Sequence, residues 1–215
     1  MPLQLAEGAG NAQRLTEFHS LSVQADAVFT LFLFLEITMS LDSLLESIPS
    51  YAKDIKLNLG SVLKQTELNP QQLWGTALAC AIAARNSAVL NAISIESRAH
   101  LTEQAAEAAR TAAAIMSMNN VYYRFLHLTE NESYKQIPAR LRMQGIRTHG
   151  VEHADFELWC TAVSAINNCK TCVASHEAVL REKGITEEQV VAAIRIAATI
   201  HAAAAVLDAA WSANN

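Results

Sequence analysis

The sequence predicts an all-α protein, and three observations carry that prediction. Alanine and leucine dominate, while glycine and proline, which interrupt helices most often, occur only seven and four times in 215 residues. Aromatic residues make up 6% of the chain, so its helices must meet largely through small side chains. No stretch alternates polar and apolar residues for long enough to indicate a sheet. A chain of this length can also bury a substantial core.

Cap and turn signals place the helices in order along the chain. Asn69 before Pro70 marks one start, the Asn167-Asn168 pair separates two later helices, and Gly184 marks an end. The predicted helices span residues 41–49, 51–66, 70–84, 86–98, 102–126, 155–167, 169–182 and 186–211.

Residues 1–38 differ in composition from the rest. They carry one basic residue, Arg14, and an apolar run at 28–35 that lacks the pattern of a secretory signal and is too short to span a bilayer. We predict that residues 1–38 are an N-terminal extension, either disordered or the product of a misassigned start, and that residues 39–215 form one domain. A packed extra helix or an anchor on a membrane surface is the alternative.

Net charge and cysteine content limit the classes of binding partner and the cellular compartment that we expect for this protein. The net charge is −5 with a pI near 5.8 and no basic stripe, so we expect no nucleic-acid partner. Four cysteines are too few for a disulfide scaffold in 215 residues, and no export signal precedes them. We therefore predict a cytoplasmic protein with no membrane partner.

An internal repeat appears when the chain is displaced against itself by 85 residues. Residues 72–74 (Gln-Leu-Trp) then lie over 157–159 (Glu-Leu-Trp), and Arg110 lies over Arg195. Self-similarity of this kind predicts a helical unit packed against its own copy within one domain. The degenerate copy spans about 41–130 and the catalytic copy about 150–211.

The two copies differ at the residues that can carry chemistry. Four reactive side chains in the second copy stand opposite inert ones in the first, which indicates that the four act as a unit. The pairs, with the first copy named first, are Ala84 and Cys169, Ser87 and Cys172, Asn91 and His176, and Gln72 and Glu157.

The reactive set centres on a Cys-x-x-Cys pair, Cys169 and Cys172, at the predicted start of a helix. The spacings from Cys169 to Cys172 and on to His176 place all three on one helix face. Unpaired N–H groups at a helix start favour a thiolate and lower the thiol pKa from its usual value near ~8.5. With Glu157 nearby in sequence, these residues are the inventory of a dithiol/disulfide redox site.

A zinc site is the main alternative reading of the same residues. Cys169, Cys172 and His176 supply three ligand types, and Cys160 or His201 would have to supply the fourth. No second Cys-x-x-Cys knuckle exists in the sequence, so the redox reading is favoured over metal binding or coincidence.

Together with Cys169-x-x-Cys172-x-x-x-His176, several stretches resemble, in order, the alkyl hydroperoxide reductase D (AhpD) family of the carboxymuconolactone decarboxylase superfamily. The resemblance begins near Met39 and runs almost to the C-terminus. The matching stretches are residues 51–59, 72–76, 118–124, 156–159 and 162–167.

This resemblance implies an AhpD-like helical fold with a pseudo-twofold repeat, assembled as a homotrimer. It also implies an antioxidant enzyme that reduces organic hydroperoxides weakly and regenerates the peroxiredoxin AhpC. The electrons would come from dihydrolipoyl groups on an acyltransferase, with dihydrolipoamide as the external reductant and no tightly bound cofactor.

Roles for the site residues follow from the motif match. Cys172 would attack peroxide and become a sulfenic acid, and Cys169 would resolve it to the Cys169–Cys172 disulfide. His176 suits a general base and Glu157 an orienting or relay group. Thr171 stands where many relatives carry a histidine. The rival functions are a decarboxylase acting on a lactone acid and a non-enzymatic zinc-bound interaction module.

Overall fold

The computed structural model describes residues 39–213, and within that range every regular element is helical. This confirms the all-α prediction; the prediction for residues 1–38 lies outside the described residues. Short 3₁₀ turns cover Ser50–Ala52 and Glu132–Gln136. The α-helices are α1 Leu41–Ser47, α2 Lys53–Val62, α3 Pro70–Ala84, α4 Ser87–Ser97, α5 Glu103–Leu128, α6 Gly145–Thr148, α7 His153–Ile166, α8 Lys170–Glu182 and α9 Glu187–Ala213.

Two parts of the helix prediction are wrong. The helix predicted over 51–66 begins as a 3₁₀ turn after Pro49 and ends at Val62. Leu63 and Leu68, which follow this end, are both buried in the core. The stretch between the predicted helices 102–126 and 155–167, where we predicted no helix, contains the short helix α6.

Local capping explains where the main helices begin. Asn69 and Gln72 form a reciprocal capping box at the start of α3, with Pro70 in the first turn. The Thr102 hydroxyl accepts the N–H of Ala105 at the start of α5. These side chains satisfy backbone donors that would otherwise lack partners.

Helix α7 lies at the centre of the domain and packs against α3, α5, α8 and α9. Its Phe156, Leu158 and Trp159 are fully buried. The Trp159 ring lies directly on Gly75 of α3, where any Cβ would overlap it. This close approach fixes how near α7 lies to α3, and α7 ends just before the turn that leads to Cys169.

The last helix, α9, contains one segment, Glu187–Ala210, that is long and apolar enough to cross a bilayer. That segment packs against α2, α3 and α7, as a core helix does. Its alanine and isoleucine content therefore reflects burial against other helices of the domain.

The order α3–α4–α5 is followed by α7–α8–α9, with lengths of 15, 11 and 26 residues against 14, 13 and 27. The pseudo-twofold relation and the homotrimer stay predictions. Helix α7 ends at Ile166, earlier than the end of α3 predicts when it is displaced by 85 residues. The next helix of each copy therefore begins at a different point in the alignment: the N-cap of α4 is Asn86, and that of α8 is Cys169. By helix position, the counterparts of Cys169, Cys172 and His176 are therefore Asn86, Val89 and Ile93, two residues away from the pairing that the sequence offset gives.

Candidate active site

The sharp turn between α7 and α8 fixes the position of Cys169. Asn168 has a left-handed backbone (φ 53°), a conformation that asparagine adopts more readily than most residues. The N–H of Cys169 then donates to the carbonyl of Ser164 at 3.1 Å. Cys169 itself is the N-cap of α8, so the Cys169–Cys172 pair lies at the helix start, where the sequence predicted it.

A polar network from α5 fastens this turn. The Arg124 guanidinium donates to the carbonyl of Asn167, and the Asn167 side-chain amide donates to Oδ1 of Asn120 at 2.9 Å. Nδ2 of Asn120 donates in turn to Oγ of Ser164 at 2.9 Å. The sequence analysis assigned no role to Arg124. The sequence feature that could have indicated one is a cluster of polar residues within an otherwise alanine-rich helix.

Cys169 and Cys172 are joined by a disulfide in this structure. Both residues are buried, and Sγ of Cys169 accepts the N–H of Cys172 at 3.4 Å. The pair is thus held in its oxidised form, inside the first turn of α8. A thiolate formed at this position on reduction would lie close to unpaired N–H groups and the positive end of the helix dipole.

His176 and Glu157 meet beside the disulfide. Nδ1 of His176 lies 2.6 Å from Oε2 of Glu157, so the imidazole N–H donates to the carboxylate. Glu157 is 4% exposed, and His176 follows Cys172 by one turn on α8. The hydrogen bond fixes the ring and commits Nδ1, which leaves Nε2 to exchange a proton.

A second imidazole, which the sequence reasoning missed, contacts the same carboxylate. Nε2 of His153 lies 3.1 Å from Oε1 of Glu157, and the His153 side chain is 45% exposed. The sequence feature that could have revealed this contact is the spacing of four residues between His153 and Glu157 on one helix. Beside it, His149 stacks on Phe156, with ring centroids 4.2 Å apart. Burial, and then the charge of His153, lower the pKa of His149.

A pocket of about 340 Å³ opens onto Cys172 and His176. Asn119 lies in its wall, and its Oδ1 is buried with no hydrogen-bond partner among the described residues. A buried amide oxygen without a protein partner is uncommon, and it can accept a hydrogen bond from a water or a ligand in this pocket. The other lining residues are Tyr123, Met143, Ile146, Thr171 and Ser175.

The remaining cysteines lie in the core as free thiols. Cys80 and Cys160 are fully buried, and burial raises the pKa of both; the Glu157 carboxylate raises that of Cys160 further. Of the two fourth ligands that a zinc site would need, Cys160 is this protonated core thiol and His201 is exposed on α9. Within residues 39–213 no three His, Cys, Asp or Glu side chains are arranged to hold a metal ion.

The chain is similar in sequence to known proteins of one superfamily. Residues 133–213 match the carboxymuconolactone decarboxylase family. The chain is 61% identical to alkyl hydroperoxide reductase AhpD of Solibacter usitatus over 170 residues, 79% of this chain and 96% of that protein. It is 61% identical to AhpD of Acidobacterium capsulatum over 172 residues, 80% of this chain and 94% of that protein.

A third relative, AhpD of Maricaulis maris, is 54% identical over 171 residues, which are 80% of this chain and 99% of that protein. Identity at this level extends over nearly the whole length of each relative. The chain belongs to the AhpD family, within the carboxymuconolactone decarboxylase superfamily.

Proposed function

We propose that this protein is a thiol–disulfide oxidoreductase that reduces alkyl hydroperoxides through Cys169 and Cys172 and passes electrons to the peroxiredoxin AhpC. The observation that carries the proposal is the pairing of a disulfide at the start of α8 with an imidazole that a buried carboxylate orients. Family membership supports the same reading, because the relatives named above are alkyl hydroperoxide reductases by name.

The oxidative half of the cycle uses the reduced pair. Nε2 of His176 takes the proton of the Cys172 thiol, and the thiolate attacks the terminal oxygen of R–O–O–H. The O–O bond breaks, the alkoxide takes the proton back from His176 and leaves as ROH, and Cys172 becomes a sulfenic acid. The Cys169 thiol then displaces water to form the disulfide.

Cys172 suits the attacking role better than Cys169 because of its surroundings. Cys172 and His176 line the same pocket, whereas Cys169 lines a separate pocket with Asn168 and Lys170. A base beside the attacking sulfur removes its proton, while the resolving thiol needs only to reach the sulfenic acid.

The pocket at Cys172 suits an organic hydroperoxide. Met143 and Ile146 give it an apolar wall for an alkyl group. Oδ1 of Asn119, which has no partner among the described residues, is placed to accept the hydroperoxide O–H. The substrate would thereby supply the donor that this buried oxygen lacks.

The reductive half requires an external dithiol. A dihydrolipoyl group attached to an acyltransferase opens the disulfide by exchange through a mixed disulfide, and the reduced pair regenerates oxidised AhpC in the same way. No tightly bound cofactor takes part. We propose further that the protein acts in the cytoplasm as a homotrimer; the AhpD-type motif and the family membership support these assignments.

The test of this function is hydroperoxide consumption by the purified protein with dihydrolipoamide as the reductant. We expect turnover of cumene hydroperoxide that is lost when Cys169 and Cys172 are both changed to serine. Glutathione and reduced thioredoxin, offered in place of dihydrolipoamide, should support less turnover. Equal rates with all reductants would contradict the lipoyl assignment.

Two further outcomes separate the rival activities. The AhpC partnership is tested directly by mixing oxidised AhpC with the dithiol form of this protein. Loss of the AhpC disulfide, seen on non-reducing gels, measures the reduction. Turnover of a lactone acid by the double serine variant, with no hydroperoxide consumption by the unmodified protein, would instead establish the decarboxylase.

A further inference from the structure

The turn that carries Cys169 is closed first by its own backbone. The N–H of Asn168 donates to the carbonyl of Ala165 at 3.1 Å. The N–H of Cys169 donates to the carbonyl of Ser164, also at 3.1 Å. With Asn168 left-handed, these two hydrogen bonds form the Schellman arrangement that ends many helices. The carbonyl of Asn167 lies in the last turn of α7, where backbone acceptors have no helical donor and need a partner from elsewhere.

Arg124 of α5 supplies that partner. Its guanidinium donates to the carbonyl of Asn167. The positive charge of Arg124 thereby lies at the C-terminal end of α7, where the helix dipole favours a cation. One charged side chain thus fastens the end of α7 immediately before the start of α8.

Asn120, one turn earlier on α5, ties the same turn at two further points. Its Oδ1 accepts the side-chain amide of Asn167 at 2.9 Å, and its Nδ2 donates to Oγ of Ser164 at 2.9 Å. Asn120 and Ser164 are both buried, so water does not compete for the hydrogen bond between them. Helix α5 therefore holds the residues two and five positions before Cys169.

The polar pair on α5 has no polar counterpart on α9. When the chain is displaced by 85 residues, Asn120 and Arg124 lie over Ala205 and Ala209. Helix α9 reaches the other junction, before α4, through the hydrogen bond that Asp208 accepts. The guanidinium and amide pair is thus found on the helix that meets the junction with the two cysteines, and its alanine counterparts are on the helix that meets the other junction.

We propose that Arg124 is a positioning residue that holds Cys169 within reach of Cys172 for disulfide formation. Its hydrogen bond goes to the Asn167 carbonyl, so it acts on the sulfurs only through the turn. The proposal rests on the proposed function in taking this disulfide as the redox centre and Cys172 as the sulfur that is oxidised first.

The two cysteines are positioned by different parts of the fold. Cys172 lies inside α8, whereas Cys169 is the N-cap residue, whose backbone the turn determines. The disulfide requires both sulfurs at bonding distance, and the dithiol does not. A looser turn therefore disfavours the disulfide relative to the dithiol.

The same looseness slows the resolving step. In that step the thiol of Cys169 attacks the sulfenic acid of Cys172, the S–S bond forms as the S–O bond breaks, and the thiol proton leaves with the hydroxide as water. The attack of Cys172 on hydroperoxide precedes this step and does not involve Cys169. Loss of Arg124 should therefore affect resolution and spare the first attack.

The first test is the equilibrium of the protein with graded mixtures of reduced and oxidised dithiothreitol at fixed pH, with free thiols alkylated and counted by mass. Arg124→Ala should make the disulfide about tenfold easier to reduce, a rise in reduction potential of about 30 mV. Arg124→Lys, which keeps a charged donor, should recover part of the shift. An equilibrium that Arg124→Ala leaves unshifted would overturn the proposal.

The matched control is Arg110→Ala, on the same helix. Arg110 is 46% exposed, and its partners are the carboxylates of Glu103 and Glu107, so this change should leave the equilibrium where it is. Arg124→Gln keeps a neutral donor and replaces the alanine variant if circular dichroism shows that the latter is unfolded at the assay temperature. Its equilibrium should also be shifted, and an unshifted one would count against the proposal.

A single turnover separates positioning from a general disturbance of the site. Reduced protein is mixed with one equivalent of cumene hydroperoxide and excess dimedone, and the label on Cys172 is mapped by mass spectrometry. Arg124→Ala should trap more of the Cys172 sulfenic acid, because Cys169 resolves it more slowly. In a Cys169→Ser background, Arg124→Ala should leave the rate of sulfenic acid formation unchanged. Slower formation in that background would contradict a role confined to positioning Cys169.

Because the equilibrium test contains no hydroperoxide, it can fail separately from the test of the proposed function. A shifted equilibrium in a protein that does not consume hydroperoxide would refute the peroxidase and support the role of Arg124. Normal hydroperoxide turnover with an unshifted equilibrium would refute the role of Arg124 and leave the peroxidase standing.

Discussion

The junction that precedes α4 and the junction that precedes α8 have similar backbones. The first leads into core residues, and the second leads into the residues of the candidate active site. Before α4, Arg85 is left-handed (φ 64°), and Oδ1 of Asn86 accepts the N–H of Val89 at 2.9 Å. Before α8, Asn168 is left-handed (φ 53°), and Sγ of Cys169 accepts the N–H of Cys172 at 3.4 Å. In each case the N-cap side chain satisfies the backbone donor three residues on.

The positions that follow the two caps diverge further. In α4 they are Val89 and Ile93, which are fully buried in the core. In α8 they are Cys172 and His176, which line the pocket. A thiol is a weaker hydrogen-bond acceptor than an amide oxygen, so Cys169 caps its helix less well than Asn86 does. The second junction is thus the less well capped of the two. It places two sulfurs at a helix start, where a thiolate is favoured.

The largest effect should come from removing the sulfur at the third position of α8. We expect Cys172→Ser to abolish hydroperoxide reduction, because no other described thiol lies at the pocket. Cys169→Ser should instead leave a sulfenic acid on Cys172 that dimedone labels. Ser87→Ala, at the first position of α4, is the control and should keep full activity. Dimedone on Cys169 in the Cys172→Ser protein would reverse the two roles.

Next in size is the loss of the base. His176→Ala should slow the reaction at pH 7 by roughly 10²–10⁴, with partial recovery at high pH, where hydroxide forms the thiolate. Glu157→Gln should cost less, since its amide still holds the imidazole. Rate–pH profiles of the three proteins measure this. A profile for His176→Ala that matches the unmodified protein would remove His176 from the mechanism.

The helix-position counterpart in α4 should respond in the opposite way. Ile93→Ala removes a fully buried side chain and should lower the free energy of unfolding by about 2–5 kcal/mol. Activity per folded molecule should be unchanged. Urea unfolding followed by circular dichroism, with kcat measured well below the transition, checks both. A large fall in kcat would mean that α4 shares in the chemistry.

The smallest expected effect comes from replacing the two N-cap residues, Asn86 and Cys169. Asn86→Ala should lower the free energy of unfolding by about 1 kcal/mol, the usual cost of losing a good N-cap. Loss of the hydrogen bond that Nδ2 of Asn86 donates to Asp208 at 2.7 Å adds to this cost. Cys169→Ser, measured against protein whose disulfide has been reduced, should change stability by less. A greater loss from Cys169→Ser would show that the sulfur is the better cap.

The sequence was sufficient for what local patterns determine. Asn69 before Pro70 located the start of α3, and the Cys-x-x-Cys spacing located the pair at the start of α8. It was insufficient where tertiary packing decides. The end of α2 at Val62, just before the buried Leu63, was not predicted from the sequence. The Asn167-Asn168 pair marks the end of α7 locally, but only the structure shows that the helix-position counterparts of the site residues in the first copy differ by two residues from those that the sequence offset gives.

Side-chain partners across helices were also beyond the sequence. The contact of Arg124 with the Asn167 carbonyl and the unpaired Oδ1 of Asn119 both depend on how α5 lies against the start of α8. His153 and Glu157 have a visible spacing, but only the structure shows that His176 occupies the other oxygen of that carboxylate. Pairwise geometry of this kind requires the folded domain.

The most direct test of the central claim is a thiol count on fully reduced protein before and after one equivalent of alkyl hydroperoxide, with peptide mapping of the oxidised sites. Our account predicts the loss of two thiols, both on the peptide that contains Cys169 and Cys172. Cys80 and Cys160 should stay reduced, because burial raises the pKa of each thiol and keeps it protonated. Oxidation at Cys80 or Cys160, or no loss of thiols at all, would contradict the account.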